Sequence, residues 1–277
     1  TAKPTESLYL TFEGNFQTEC TAKVIACNIL KNEKQENGAL QTSNETNQLE
    51  VEIHLDRSPM HPQGGGQPSD HGVIACQATT NIPVIKIHKV AKPFTSTIVS
   101  HFGKMTPNDI PSLIGAEVTV TVDSDRRRIL SECHTAGHVV DAAMARIDQV
   151  MPPTKGYHFL DGPYVEYRGS IPAERRAEVL EGLKSAFQDL VEEDIETKIA
   201  ICSKDEAEKE CNRLAQNFDL SIYTDEVRVV SVAGWPCPCG GTHVRSTKEL
   251  KERGWGIKGL KCKKNVVRVK YGFTGTK

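Results

Sequence analysis

Two pairs of residues in this chain combine metal-ligating chemistry with a spacing that aims each pair at one point. His134-Thr135-Ala136-Gly137-His138 places two imidazoles at i and i+4, one turn apart on the same helix face, where a rigid backbone can hold both towards a single ion. Cys239-Gly240-Gly241-Thr242-His243 pairs a thiolate with an imidazole across two glycines that let the backbone turn back sharply. Alone, the histidine pair reads more readily as ordinary helix packing than as a metal site, and the second pair can be a glycine turn over a buried cysteine. Together they supply His134, His138, Cys239 and His243, a His₃Cys set suited to one zinc ion per chain. Cys237 is a spare thiol beside them, read as a structural neighbour first and an alternative ligand second. Thr135 stands where the His-Glu-x-x-His protease motif carries its general base, so a metalloprotease would lack its key residue.

A third element, His61-Pro62-Gln63-Gly64-Gly65-Gly66-Gln67-Pro68-Ser69-Asp70-His71-Gly72, contains three consecutive glycines that admit unusual backbone angles and close approach by another chain segment. It lacks the Gly-Lys-Ser/Thr ending of a phosphate loop and the spacing of a dinucleotide fingerprint. On physical grounds it is a tight, specialised turn.

The elements that must position these groups change character along the chain. Residues up to about 125 read as short strands: Leu49 to Leu55 alternates strictly, and Gly72 to Cys76, Val84 to Val90 and Glu117 to Val122 look similar. Leu8 to Leu30 is rich in strand formers around a Glu13-Gly14-Asn15 turn. Such spacing predicts a small barrel or sandwich. The polar run from Lys31 to Gln48 reads as a surface insertion. Asp125 to Val150 predicts a helix stopped by Pro152-Pro153, and Tyr157 to Leu160 with Tyr164 to Tyr167 a hairpin. A second helix opens at Pro172 with a Val179, Leu180, Leu183, Phe187, Leu190, Val191 stripe. Ser203-Lys204-Asp205-Glu206 resembles a capping box, and Glu226 to Val232 and Val266 to Tyr271 read as strands. The expectation is an α+β protein: a β-rich domain over 1–123 and an α+β domain over 124–277.

Composition narrows the partners. The chain has 277 residues and a net charge of −2, yet 11 Lys/Arg against 2 Asp/Glu fall between Arg245 and Lys277. A basic stretch of this kind can meet phosphates while the whole remains near neutral. Nine cysteines without the regular framework of a small secreted domain point to a reduced, cytoplasmic setting. No apolar run approaches membrane-spanning length.

With all three elements in order, the chain resembles the alanyl-tRNA editing family, the editing domain of alanyl-tRNA synthetase and its free-standing AlaX relatives. The stretches that carry the resemblance are Gly64-Gly65-Gly66-Gln67-Pro68, His134-Thr135-Ala136-Gly137-His138 and Cys239-Gly240-Gly241-Thr242-His243-Val244, with the segment from Gly156-Tyr157-His158-Phe159 to Val165-Glu166-Tyr167. It spans roughly Leu49 to the last residue. It implies a small N-terminal β-barrel domain carrying the glycine motif, followed by an α+β zinc-bearing editing domain. The implied activity is hydrolysis, in trans, of alanine tRNA carrying serine or glycine, with a synthetase as a further partner. One departure is Val139-Val140-Asp141, where the family often carries Leu and His; Asp141 reads either as a partner of the ligand set or as solvent-facing.

The chemistry is coherent. A small apolar pocket discriminates poorly among alanine, glycine and serine, so errors of charging need a second, hydrolytic site. That hydrolysis needs a positioned water and stabilisation of developing negative charge. Zinc either activates the water or orients the amino acid, depending on whether all four ligands bind or one position stays open. Thr135, Thr242 and Gln67 are the candidate catalytic contacts. Gly64, Gly65 and Gly66 would shape the pocket, and Lys261, Lys263 and Lys264 would meet the RNA backbone. The rival readings are an editing module for threonine tRNA, a non-catalytic zinc module binding tRNA or a synthetase, and a small-molecule metal hydrolase.

Overall fold

The computed structural model describes residues 3–30, 48–76, 84–93, 95–213, 218–223 and 225–274. The insertion expected over 31–48 lies, but for Gln48, outside the described residues. Contacts divide the chain into two units. The first comprises Thr1–Tyr9, Gln17–Gln63 and Ser69–Arg127; the second comprises Leu10–Phe16, Gly64–Pro68 and Arg128–Lys277.

The first unit is a closed barrel of six antiparallel strands. β1 (Glu19–Ile29), β2 (Leu49–Leu55), β3 (Gly72–Cys76), β4 (Ile85–Ala91), β5 (Ser100–Met105) and β6 (Glu117–Val122) pair in the order β1-β2-β5-β4-β3-β6 and back to β1. Alternation decides which side chains enter it: Val51, Ile53 and Leu55 from β2 and Val118, Val120 and Val122 from β6 are buried, as the two-residue period of a strand requires. On two strands the period breaks. β4 buries Ile85 and Ile87 and then Val90, and β1 buries Ala22 and Val24 and then Cys27. Each change of phase coincides with a register shift, between Ile87 and Lys89 and between Val24 and Ala26. An extra residue there bends the strand and raises its twist, which helps a six-stranded sheet to close. The stretch expected as strand from Leu8 instead forms a helical turn at Phe12–Asn15, because the Thr11 hydroxyl caps it by accepting from the Gly14 N–H at 3.0 Å.

The second unit is α+β. β7 (Pro153–Tyr157) and β8 (Tyr164–Arg168) form a hairpin whose second strand is as expected. Its first strand ends at Tyr157, where the sequence placed its start, because the His158 N–H is given to the Gly66 carbonyl at 2.9 Å instead of to a strand. The two join a four-stranded antiparallel sheet ordered β12-β13-β8-β7, where β12 is Trp255–Lys263 and β13 is Val266–Phe273. β9 (Lys198–Ser203), β10 (Glu226–Val232) and β11 (Trp235–Pro238) make a second, three-stranded sheet. Helix α1 spans Ser124–Arg146, α2 Arg176–Glu192 and α3 Lys204–Cys211. α2 buries Val179, Leu183, Ala186, Phe187, Leu190 and Val191, and the Ser203 capping box opens α3. α1 ends four residues before the expected Val150: Asp148 adopts φ 56°, a left-handed residue that terminates a helix before any proline is reached.

α1 is the centre of the site. Every residue from Leu130 to Val140 is buried, so this stretch lacks the single apolar stripe of a surface helix. Ser131, Glu132, His134, Thr135 and His138 are among those residues. Buried polar groups need partners, and their partners define the chemistry.

Candidate metal centre

All residues named here belong to the second unit. His134, His138, Cys239 and His243 form a cluster whose ligand atoms lie within 4.8 Å of one another. The histidine rings of α1 stand 5.1 Å apart, and His243 packs against both at 4.6 and 4.8 Å. Cys239 Sγ lies 3.5 Å from His134 Nε2 and 3.4 Å from His243 Nε2. For zinc bonds of about 2.3 Å to sulfur and 2.05 Å to nitrogen, meeting at the tetrahedral angle, those atoms would stand about 3.6 Å apart. The two separations from Cys239 therefore match a tetrahedral ion, and the donor set as a whole could hold one. His138 Nδ1 is buried with no hydrogen-bond partner, which agrees with a site made to be completed by something other than protein. Burial pushes the Cys239 thiol above its usual range, against the Arg228 charge that lowers it. His138 is pushed down to about 4, chiefly by burial and then by Arg228.

The groups around the cluster fix its orientation. Gln67 Oε1 accepts from the Thr242 N–H at 3.0 Å, which settles which end of the amide is oxygen. The same oxygen lies 2.7 Å from His134 Nδ1, so that nitrogen must carry the proton and Nε2 keeps its lone pair towards Cys239. Gln67 Nε2 donates to Thr242 Oγ1 at 2.9 Å, and that hydroxyl is also 2.8 Å from Ser131 Oγ. Thr135 Oγ1 does for His243 what Gln67 does for His134: it lies 3.2 Å from Nδ1 and accepts the Val244 N–H at 3.1 Å. Asn15 clamps the His243 backbone, donating to its carbonyl at 2.8 Å and accepting its N–H at 2.9 Å. Thus the three expected catalytic contacts, Thr135, Thr242 and Gln67, are all bonded into the frame that aims the ligands.

The glycines have steric reasons. A Cβ on Gly241 would stand 2.2 Å from the His134 ring and 2.7 Å from Gln67 Oε1. Gly66 has φ 80°, and its Cβ would meet the Gly156 carbonyl oxygen at 2.4 Å; its own carbonyl accepts the His158 N–H at 2.9 Å. Gly64–Pro68, read from sequence as part of the β-rich domain, therefore belong to the second unit.

Sequence reasoning assigned no role to His158. It is buried, its ring stacks on His134 at 4.1 Å, and its Nδ1 lies 2.6 Å from the Tyr271 hydroxyl. Burial, aided by His138, pushes it down to about 3. The only signal for it was its place in the hairpin segment. Asp141 does not face solvent freely: the Tyr167 hydroxyl donates to it at 2.5 Å, and burial raises it to about 7. Cys237 is half-buried and outside the four-residue cluster. All nine cysteines are free thiols. Lys261, Lys263 and Lys264 are exposed on and beyond β12, in the sheet that also holds the β7-β8 hairpin. Among the described residues no helix is long and apolar enough to cross a membrane.

Comparison with known proteins bears on the family of the chain. The model of the second additional domain of threonyl and alanyl tRNA synthetases matches residues 227–269, which include Cys239 and His243. Alanine–tRNA ligase of Kineococcus radiotolerans is 28% identical over 216 residues, covering 77% of this chain and 23% of the relative. That of Acidothermus cellulolyticus is 32% identical over 204 residues, covering 72% and 21%. The chain thus spans about a fifth of the length of these relatives. Over residues 227–269 the chain resembles the second additional domain of threonyl and alanyl tRNA synthetases. It is a relative of the alanyl-tRNA synthetase editing domain.

Proposed function

We propose that this chain is a deacylase acting on alanine tRNA that carries the wrong amino acid, serine first and glycine second, with one zinc ion per chain. The observation that carries this reading is the bonding of Gln67, from the glycine motif, to both His134 and Thr242, in a relative of the editing domain. That bonding makes the motif part of the ligand frame. His134, His138, Cys239 and His243 would hold the ion, which when bound supplies positive charge to polarise an ester or to lower the pKa of water. Gln67 and Thr135 hold the two imidazoles in one tautomer each. Gly64, Gly65 and Gly66 shape the wall beside them, and the buried surroundings exclude bulk water. Lys261, Lys263 and Lys264 would meet phosphates. The domains would divide near Asp123, and the free thiols suit action in the cytoplasm.

The test is release of labelled serine from alanine tRNA charged with serine, beside correctly charged alanine tRNA and threonine tRNA charged with serine. Faster release from the first than from either other substrate is expected. The threonine arm matters because the matching domain model covers threonyl as well as alanyl synthetases. Release from threonine tRNA alone would move the substrate there. Tight tRNA binding with no release from any of them, at saturating zinc, would leave a non-catalytic module.

A further inference from the structure

The outward face of the four-stranded sheet carries an arrangement that the metal centre does not use. Register places Tyr157 opposite Tyr164 and Tyr164 opposite Lys270; the next row runs from Lys155 to Glu166, Arg268 and Lys261. Directly paired residues in an antiparallel sheet share a face, whereas Val165, Tyr167, Val267, Val269 and Tyr271 point into the core. On the outer face the Tyr157 ring stacks on Tyr164 at 5.2 Å and on Phe159 at 4.7 Å, with 17° between planes in both pairs. The Arg268 guanidinium lies 4.1 Å over Tyr164, and the Lys155 ammonium lies 5.8 Å from Tyr164 and 6.0 Å from Tyr157. Glu166 pairs with Arg268 at 2.8 Å; Lys155 and Lys261 are exposed and Lys270 half-buried.

We propose that this face is a stacking platform for unpaired nucleotides of RNA. Aromatic rings interleaved with cations bind bases by their faces and the backbone by charge. A duplex hides its base faces, so such a platform selects unpaired nucleotides. Tyr157 and Phe159 flank His158 in the chain, but their rings lie on the outer face while the His158 ring is buried against His134 on the other side, as the alternation of extended chain requires. The identity of the RNA as a charged tRNA rests on the function proposed above; the platform itself does not.

The experiment uses the full chain as purified and two RNA probes. One is an uncharged alanine tRNA transcript compared with the same transcript trimmed of its unpaired 3′ nucleotides. The other is a labelled, unstructured RNA decanucleotide. For the wild type, trimming is expected to weaken binding at least about 10-fold, the effect of losing one or two stacked bases. For Tyr157→Ala/Tyr164→Ala, trimming should change affinity less than about 2-fold, and the decanucleotide should bind at least about 10-fold more weakly than to the wild type. Tyr157→Phe/Tyr164→Phe keeps the ring faces and should behave as the wild type. If the alanine variant melts below assay temperature, Tyr157→Leu, which keeps bulk without a ring face, carries the same comparison. An equal trimming effect in wild type and ring-less variants, or decanucleotide binding indifferent to the rings, overturns the platform. Serine release by the wild type with no such coupling refutes the platform and leaves the deacylase. Ring-dependent decanucleotide binding without release does the reverse.

Discussion

Replacing Gln67 by Met tests whether the glycine motif governs the metal centre. Gln67 is fully buried, and its amide makes three hydrogen bonds, to the Thr242 N–H, the Thr242 hydroxyl and His134 Nδ1. Met has nearly the same length and shape but no acceptor of comparable strength. The His134 N–H and the Thr242 N–H would both be left unsatisfied, at a cost of about 1–3 kcal/mol each. The lone pair of His134 Nε2 would also lose the partner that holds its tautomer, a change that typically lowers metal affinity about 10- to 100-fold, or about 1.4–2.7 kcal/mol. Gln67→Glu makes the opposite prediction. A carboxylate accepts both N–H groups, and the Thr242 hydroxyl can turn to donate to it, so metal binding should equal or exceed that of the wild type. The assay is zinc competition against a chromogenic chelator, with melting of the metal-free forms recorded alongside. Wild-type affinity in Gln67→Met, or equal losses in Gln67→Met and Gln67→Glu, would refute the tautomer argument.

Purified protein should carry about one zinc per chain by elemental analysis, with His134→Ala or Cys239→Ala reducing occupancy at least about 10-fold in a chelator competition, as loss of one of four ligands implies. Gly241→Ala should impair metal binding to a similar degree, because its Cβ would displace the His134 ring; unchanged affinity would show that the ring moves at no cost. Stability should fall with acid through His101, buried between Ser58 at 2.7 Å and the Ile53 carbonyl at 3.1 Å. Burial lowers it from 6.5 to about 4, so between those pH values the unfolded chain binds the extra proton. Its contribution, about 3 kcal/mol, is intact above about pH 7 and is lost progressively towards pH 4. Urea midpoints followed across that range in wild type and His101→Gln should show a shallower pH slope in the variant. Reversing Lys261, Lys263 and Lys264 to Glu should weaken tRNA binding and flatten its dependence on salt, since fewer counterions are released; an unchanged slope in a salt titration would make that hairpin an ordinary solvated surface.

The ligand set was legible because each pair is local: i and i+4 on a helix, and Cys-x₃-His across two glycines, need no knowledge of the rest of the fold. Strands with unbroken alternation, such as Leu49–Leu55 and Glu117–Val122, were legible for the same reason. Ser100–Met105 was missed, since His101 and Gly103 interrupt its apolar pattern, though His101 is buried. Trp255–Lys263 was read only as a basic stretch, because its exposed lysines alternate with partly buried residues after a bulge between Ile257 and Gly259. The frame around the cluster is non-local. Asn15 and Gln67 reach His243 and Thr242 from 228 and 175 residues away, and no spacing rule connects such positions. Their roles follow only from the unsatisfied donors that the folded chain brings together.

The residues that complete the centre come from widely separated places along the polypeptide, and this has a kinetic consequence. Closing the loop of 67 residues between Gln67 and His134, and that of 175 between Gln67 and Thr242, carries an entropic cost, and contacts of such separation form slowly. The helix with His134 and His138 can form early from local interactions. The acceptor that orients His134 arrives only when Gly64–Pro68 docks. A cation offered before that moment would meet an imidazole free to present either nitrogen. Any ion held there would therefore find its oriented donors only late in folding, and a fragment beginning at Ser124 would keep the four candidate ligands without the residue that aims one of them.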